Sequence, residues 1–250
     1  MTATARTAVV TGSSRGIGAT IARTLAARGH RVVVNHRSSP QAAAQVVKEI
    51  EAAGGTAVAH AADVTRPEEA RALIARAVEE FGGLDVLVCN ANVGLGQGEV
   101  ATVDFEVFAG KVRDELAAAF HPTQAALPEL ARRGGRIVYL SSEAARGPAA
   151  PAMAAHGTAK AALNVYALCV AREAAPHGVG VNVLSPGLTR TEATEHIPQE
   201  MWDRMVARIP QGRAGTPEEI ARAVAFLTDP ATSYLTGQII SLNGGSHLGR

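Results

Sequence analysis

His156 and Lys160 are the two side chains whose types and spacing point most directly to chemistry. They stand four residues apart in a segment with a helical pattern, residues 152–175, so they are expected to share one helix face. An imidazole carries a proton near neutral pH and serves as a general acid or base. A neighbouring ammonium group disfavours the imidazolium, whereas a carboxylate such as Glu115 or Glu143 favours it. Proton transfer at His156 is therefore expected to need a carboxylate partner.

A glycine-rich stretch, TGSSRGIG at residues 11–18, is the second candidate site. It follows a short apolar run, residues 7–10, and leads into a segment with helical periodicity, residues 19–28. Strand, glycine turn and helix in this order bring free N–H groups and a positive helix dipole toward an anion, and a pyrophosphate is the natural occupant. Taken alone, the same pattern is also typical of a tight connection between strand and helix.

The elements that must position these residues alternate along the whole chain. Strands are predicted at 7–10, 30–35, 56–60, 84–89, 136–140, 178–184 and 238–242. Helices are predicted at 19–28, 41–53, 102–109, 110–133, 152–175 and 217–228, and a further helix begins within residues 63–69 and ends near 81. The alternation predicts an α/β fold: a Rossmann-type, doubly wound parallel sheet of about seven strands with helices on both faces. Ligands are then expected at the carboxyl ends of the strands, in a single domain spanning residues 1–250.

Charge and cysteine content exclude several classes of partner. Twenty-four Lys and Arg residues against 23 Asp and Glu leave a net charge of +1, so neither nucleic acid nor an anionic membrane is an expected partner. No apolar run approaches the roughly 18 residues of a membrane span, and the N-terminus lacks a signal-peptide core. Cys89 and Cys169 are expected to be buried, reduced thiols, which predicts a cytoplasmic protein without a metal site.

Several separated motifs together resemble the short-chain dehydrogenase/reductase family over essentially the whole chain. The matching pieces, in order, are Thr11-Gly-Ser-Ser-Arg-Gly-Ile-Gly18, Asp63-Val64, Cys89-Asn-Ala-Asn92, Leu140-Ser-Ser142, Lys160, Ser185-Pro-Gly-Leu-Thr-Arg-Thr191 and Asn243-Gly-Gly245. The resemblance implies a nicotinamide dinucleotide as cofactor. It also implies that Asp63 and Val64 meet the adenine, that Asn90 lies beside the ribose, and that the loop from Pro186 holds the carboxamide. The cofactor-binding residues implied in this way are Gly12, Ser14, Arg15, Gly16, Ile17, Gly18, Arg37, Asp63, Val64, Asn90, Ala91, Lys160, Pro186, Gly187, Thr189 and Thr191.

The charges after the second strand favour NADP over NAD. A carboxylate there would accept the ribose 2′-OH of NAD, but residues 35–38 read Asn-His-Arg-Ser. Arg37, together with Arg15 from the glycine turn, offers two guanidinium groups for a 2′-phosphate. The alternative is that both arginines are ordinary surface charges.

The catalytic positions depart from the family's pattern. The family carries a Tyr four residues before the Lys, a Ser about thirteen residues before that Tyr, and an Asn on the preceding helix. Here His156 stands at the tyrosine position, Ser142 matches the serine with one extra residue of spacing, and Glu115 aligns with the asparagine. Glu143 follows the serine directly, and Asn92 replaces a glycine of the family's fourth-strand motif.

Three functional hypotheses remain open at this stage. The first is an NADPH-dependent ketone reductase of the acyl or polyketide type, with His156 as general acid beside Lys160 and Ser142 at the substrate oxygen. The second is a redox-neutral acid/base enzyme on the same scaffold, such as a dehydratase, isomerase or cyclase, using His156 with Glu115 or Glu143. The third is a non-catalytic partner subunit of an active relative, because fold alone does not determine function.

Substrate and assembly are predicted only coarsely. Residues 192–214 carry Met201, Trp202 and Met205 and form either a lid over a hydrophobic, carbonyl-bearing small molecule or an amphipathic helix packed on the core. The family resemblance and the alanine-rich start of the helix that carries His156 predict a homodimer or homotetramer.

Overall fold

The computed structural model describes residues 5–147 and 151–247, and it forms one parallel sheet covered by helices. In these ranges the strands are β1 (Thr7–Val10), β2 (Arg31–His36), β3 (Thr56–Ala61), β4 (Val86–Cys89), β5 (Arg136–Leu140), β6 (Gly180–Pro186) and β7 (Ile239–Leu242). The α-helices are α1 (Gly16–Ala27), α2 (Pro40–Ala52), α3 (Pro67–Phe81), α4 (Phe105–Arg133), α5 (Ala154–Ala174), α6 (Gln199–Val206) and α7 (Pro217–Leu227).

The sheet has the strand order β3-β2-β1-β4-β5-β6-β7 with every pairing parallel, which confirms the predicted doubly wound α/β fold. The chain builds outward from β1 to β3 and then crosses back to place β4 on the other side of β1. This reversal separates the loops after β1 and β4 and creates a crevice at their carboxyl ends. The glycine turn follows β1, so the topology brings it to this crevice.

Apolar residues on both faces of the strands explain why helices cover both sides. In β1, Val9 and Val10 are fully buried on opposite faces of the sheet. The core around Val9 is closed by α3, α4 and α5, with Leu73, Leu130 and Leu163 among its members. The core around Val10 is closed by α1, α2 and α7. Burial on both faces is the reason for the nearly continuous apolar sequences of these strands.

Two predictions about local structure were wrong. The segments predicted as separate helices, 102–109 and 110–133, form one continuous helix, Phe105–Arg133, because packing of its inner face against the sheet outweighs the local effect of Gly110. Cys169 is exposed on α5, although Cys89 is buried as predicted and burial raises its thiol pKa to about 12.

Two kinds of structural feature are absent from residues 5–147 and 151–247, the part of the chain that the structure describes. No helix in these ranges is both long and apolar enough to cross a membrane. The same ranges contain no cluster of three or more His, Cys, Asp or Glu side chains arranged to hold a metal ion.

Candidate functional site

The glycine turn is fastened to the loop after β4 by hydrogen bonds from both sides. The Thr11 hydroxyl oxygen accepts hydrogen bonds from the backbone N–H groups of Asn90 (2.9 Å) and Ala91 (3.0 Å). The Asn90 side-chain amide in turn donates to the carbonyl oxygens of Thr11 and Gly12, both at 3.0 Å. The Asn90 side chain therefore stabilises the conformation of the glycine turn. Its predicted position beside a ribose stays a prediction.

Two glycines of the turn leave no room for a side chain. A Cβ on Gly18 would lie 2.4 Å from the Asn90 amide nitrogen and 2.5 Å from the Gly12 carbonyl oxygen. Gly12 itself has φ +60°, and a Cβ there would lie 2.9 Å from the Ala91 Cα. Backbone therefore approaches backbone in this turn at distances that only glycine permits.

Asn35, at the end of β2, buttresses the turn from the other side. Its side-chain oxygen accepts a hydrogen bond from the Gly12 N–H at 3.0 Å, and its amide donates to the carbonyl oxygen of Ala62 at 3.1 Å. The residue is 2% exposed, so its polar groups serve the protein's own backbone. Residues 35–39, at and after the end of β2, include no carboxylate that could accept a ribose 2′-OH.

An open cleft of about 410 Å³ lies over this turn. Its lining residues come from the carboxyl ends of four elements: 12–18 after β1, 35–39 at and after β2, 62–65 after β3 and 90–93 after β4, with 191–193 on the far side. The N-terminus of α1 opens toward it with no acidic residue in the first turn and no side-chain cap, so its N–H groups are available to bind an anion. The glycine cradle and this uncapped helix end fit the diphosphate of a dinucleotide.

Positive charge is concentrated where the adenosine end of such a ligand would lie. Arg15 and Arg37 are both exposed at the cleft, and the Arg15 guanidinium donates a hydrogen bond to the Ser39 hydroxyl at 2.8 Å. Burial acts to raise the pKa of Asp63, but hydrogen bonds from Thr65 and the charge of Arg37 outweigh it and lower that pKa. Asp63 is thus an ionised carboxylate on the cleft wall, and its place beside an adenine stays a prediction.

The residues predicted around the nicotinamide are only partly brought to this cleft. Thr191 lines it, whereas Pro186, Gly187 and Thr189 are not among its lining residues. The Thr189 hydroxyl donates to the Gly187 carbonyl oxygen at 3.0 Å and is largely buried. The predicted role of these three residues therefore stays a prediction.

The segment predicted as a lid contains the short helix α6. Its Trp202 is only 6% exposed, and the Arg190 guanidinium lies 4.3 Å from the centre of the indole ring. Met201 on the same helix is exposed. The helix is therefore amphipathic, and it is joined to the loop after β6 through the contact of Trp202 with Arg190.

A buried ion network lies beside the His156 position. The Lys160 ammonium donates to the Glu115 carboxylate at 2.5 Å and to the Leu140 carbonyl oxygen at 2.8 Å. Lys111 bonds the other oxygen of Glu115. Glu115 is 2% exposed, so it is a buried carboxylate and not a surface acid. Burial alone would raise the pKa of Glu115, but the two ammonium groups lower it and keep the carboxylate ionised.

His156 is neutral at neutral pH in this environment. Burial lowers its pKa to about 4, helped by the positive charges of Lys160 and Lys111 and opposed only by Glu115. Its Nδ1 atom is buried without a hydrogen-bond partner among the described residues. Because Glu115 is engaged by two lysines, it does not act as the carboxylate partner that an imidazolium would need. The imidazole instead offers a neutral N–H donor.

Ser142 and Glu143 follow β5 in the same region. The Ser142 hydroxyl oxygen accepts a hydrogen bond from the Ala144 N–H at 3.2 Å and so caps a short 3₁₀ turn. One Glu143 oxygen accepts a hydrogen bond from the Asn243 amide at 2.9 Å. The other oxygen is buried and has no partner within the described part of the chain. Both residues are thus held by backbone or side-chain contacts at the end of β5.

None of the three tyrosines substitutes for the missing one. Tyr139 and Tyr166 pack edge to face in the core region, and burial raises the pKa of both, that of Tyr166 to about 12. Tyr234 is fully exposed in the segment between α7 and β7. With raised pKa values, neither of these two phenols is suited to protonate a carbonyl oxygen.

Lys111 and Asn243 are site residues that the sequence analysis missed. Lys111 stands four residues before Glu115 on one helix, and this spacing of opposite charges was a usable signal. Asn243 reaches Glu143 across 100 residues of sequence, and no local pattern indicates that contact.

The fold and the cleft together define a Rossmann-type dinucleotide-binding protein. A family model described as enoyl-(acyl carrier protein) reductase matches residues 12–247. The chain is 41% identical over 243 residues to an uncharacterized oxidoreductase of Methylorubrum extorquens, covering 96% of this chain and 97% of that protein. It is 36% identical over 244 residues to a 3-oxoacyl-(acyl-carrier-protein) reductase of Staphylococcus aureus, covering 97% and 98% respectively.

Solved structures agree with these sequence comparisons. A short chain dehydrogenase from Burkholderia cenocepacia, crystallised in complex with NADP, superimposes with a TM-score of 0.89 at 33% identity, covering 96% of this chain and 97% of that one. The protein therefore belongs to the short-chain dehydrogenase/reductase family.

The packing of the glycine turn predicts that Gly18→Ala lowers the free energy of unfolding by about 1–3 kcal/mol, because the new Cβ displaces Asn90 and the Gly12 carbonyl. Urea denaturation measures the change. Gly110→Ala in α4 is the matched control, since its Cβ would meet only the Arg113 side chain at 3.8 Å. Equal stability of the two variants would contradict the described packing of the turn.

Proposed function

We propose that the protein is an NADPH-dependent ketone reductase acting on an acyl or polyketide-like carbonyl compound through an atypical His156/Lys160 centre. The observation that carries the proposal is the loop after β4, which joins the cofactor cleft to the ion network. Asn92 and Val93 line the cleft, and the same two residues accept hydrogen bonds from Lys111 at 3.0 Å and 2.7 Å. The similarity to a 3-oxoacyl-(acyl-carrier-protein) reductase supports the substrate class.

The reduction adds a hydride to the carbonyl carbon, which bound NADPH would supply, and a proton to the oxygen, which solvent water would supply once the negative charge on that oxygen is stabilised. In our proposal Ser142 and the neutral His156 donate hydrogen bonds to that oxygen, as a neutral imidazole does when it polarises a carbonyl. Lys160 uses two of its three N–H donors on Glu115 and Leu140, and the described residues supply no acceptor for the third. That third donor and the net positive charge of the network favour the developing alkoxide.

The charges around the cleft support NADPH as the cofactor. Arg15 and Arg37 line the cleft and offer two guanidinium groups to a 2′-phosphate, and β2 ends without an acid. The NADP bound to the Burkholderia cenocepacia relative is consistent with this choice.

Replacement of Arg37 by Ala tests the choice of cofactor. Loss of one charge-assisted contact to the 2′-phosphate is expected to weaken NADPH binding by about 10- to 100-fold and to leave NADH binding unchanged. Calorimetric titration measures both affinities. Arg28→Ala, at the opposite end of α1, is the control with the same loss of charge. An equal loss for both dinucleotides would assign Arg37 a role unrelated to the phosphate.

Two substitutions of His156 test the reductase chemistry. His156→Phe removes the N–H donor at similar volume and is expected to slow NADPH oxidation with an aliphatic or aromatic β-keto thioester by about 100-fold or more, while NADPH still binds. His156→Tyr places the family's phenol beside Lys160 and is expected to retain NADPH oxidation. Spectrophotometry at 340 nm follows the reaction. An unchanged rate in the Phe variant would remove His156 from the mechanism.

A redox-neutral acid/base reaction is the second candidate, because one Glu143 oxygen is buried without a partner among the described residues and a carboxylate of this kind can accept a proton. Full product formation after removal of every trace of nicotinamide would favour it. The hypothesis of a non-catalytic partner subunit stays a prediction, as does the cytoplasmic location inferred from the two cysteines.

We also propose a homodimer or homotetramer that uses the outer face of α4 and α5. Phe120, Val165 and Leu168 are exposed there, and Phe120 and Val165 line one apolar groove between the two helices. A contiguous exposed apolar surface of this kind is typical of a subunit interface.

The variant Val165→Glu tests this assembly. A two-fold interface would bring the new carboxylate near its symmetry mate, so we expect a shift toward monomer in light scattering at micromolar concentration. Ala44→Glu, on the exposed side of α2, is the control and should leave the mass unchanged. A monomeric unmodified protein at the same concentration would contradict the proposed assembly.

A further inference from the structure

We propose that Lys111 is a positioning residue that joins Asn92, Glu115 and Lys160 into one buried network and thereby determines the net charge that faces His156. Two residues of this network, Asn92 and Glu115, occupy positions where the family pattern has Gly and Asn, and Lys111 contacts both of them. The inference builds on the proposed role of His156, but its test does not require turnover.

The contacts of Lys111 leave none of its hydrogen-bonding capacity free. Its ammonium group donates to the Asn92 side-chain oxygen at 3.0 Å, to the Val93 carbonyl oxygen at 2.7 Å and to Glu115. An ammonium group has three N–H donors, so all three are satisfied. The three acceptors come from two different elements and fix the position of the ammonium group. They also offset the cost of burying a cation in a residue that is only 5% exposed.

The aliphatic stem of Lys111 is enclosed by the loop after β4. A Cβ added to Gly96 would lie 2.8 Å from the Lys111 Cβ and 3.3 Å from the Ala155 Cβ. Gly96 has φ +59°, so glycine is required there for backbone conformation as well as for space. The loop therefore packs directly on Lys111 and on the first turn of α5, next to His156.

The charges that act on His156 come from two helices. Lys160 lies on the same helix, whereas Lys111 and Glu115 project from α4. Glu143, in the 3₁₀ turn that packs against α5, is held by Asn243. Two ammonium groups against one carboxylate leave a net charge of +1 in the network. Removal of Lys111 would leave Glu115 and Lys160 alone, with a net charge of zero.

The test is a set of pH titrations of the His156 imidazole by NMR, in the full-length protein without substrate and with the signal assigned from His156→Gln. Lys111→Met lowers the network charge to zero and is expected to raise the pKa of His156 by about one unit. Glu115→Gln raises the charge to +2 and is expected to move the titration to more acidic pH. The double variant, Lys111→Met with Glu115→Gln, restores +1 and is expected to titrate near the unmodified protein.

Controls separate this pattern from a loss of packing. Arg113→Met removes a positive charge from the solvent-exposed side of the same helix and is expected to leave the titration unchanged. Lys111→Arg keeps the charge and is expected to leave it near the unmodified value. If Lys111→Met does not fold, the comparison of Glu115→Gln with the double variant decides, because both lack the buried carboxylate.

A pattern in which the Lys111 variants lose thermal stability but His156 titrates as before would overturn the inference and leave Lys111 a structural residue. Equal titration of Glu115→Gln and the double variant would overturn it as well. The expected NMR pattern together with unimpaired NADPH oxidation in His156→Phe would keep the role of Lys111 and reject the reductase mechanism, so the two proposals fail separately.

Discussion

The pairing of one buried carboxylate, Glu115, is the interaction on which the candidate site depends. A carboxylate that is 2% exposed is stable as an ion only when opposite charges and hydrogen bonds replace its water. Loss of one partner from such a buried pair typically costs about 3–5 kcal/mol. Lys111 and Lys160 approach its two oxygens from α4 and α5, so the relative position of these helices is coupled to the ionisation of Glu115.

The same requirement reaches the cofactor cleft through one loop. The Lys111 ammonium group needs acceptors beyond Glu115 and finds them at Asn92 and Val93. These residues follow Asn90, whose side chain is hydrogen-bonded to the glycine turn. Asn90 holds the glycine turn, and the glycine turn forms the floor of the cleft. Residues 90–93 therefore connect the ion network to the cofactor cleft, and a substitution in either is expected to alter the geometry of the other.

The sequence predicted the fold well because its signals are local. Glycine turns, β-branched runs and helical periodicity indicate each element without knowledge of its neighbours, and the alternation of strands and helices predicts a parallel, doubly wound sheet. Errors occurred where tertiary packing decides. Gly110 suggested a break in α4 that burial of the inner face overrides, and the apolar pattern around Cys169 gave no sign that its face of α5 is open.

The site itself was predictable in its members more than in its connections. The candidate residues Ser142, His156, Lys160 and Glu115 follow from the resemblance of the sequence to the family. The Glu115 carboxylate pairs with the two lysines and not with His156. This pairing depends on how closely α4, α5 and the loop after β4 pack together. Asn243 meets Glu143 only because β7 lies next to β6 at the end of the sheet. Such contacts have no sequence periodicity.

The positive electrostatic potential of the two lysines also explains why the deprotonated form of a histidine at this position behaves differently from that of a tyrosine. Positive charge favours deprotonation of either group, but the products differ. A phenol becomes a phenolate anion, which the ammonium groups of the lysines stabilise. An imidazolium becomes a neutral ring that still carries one N–H. With the His156 pKa near 4, this neutral ring is the form present at neutral pH. A neutral donor gains less from two unscreened cations than a phenolate does, so a carboxylate at position 115 that screens them is physically consistent with histidine at position 156.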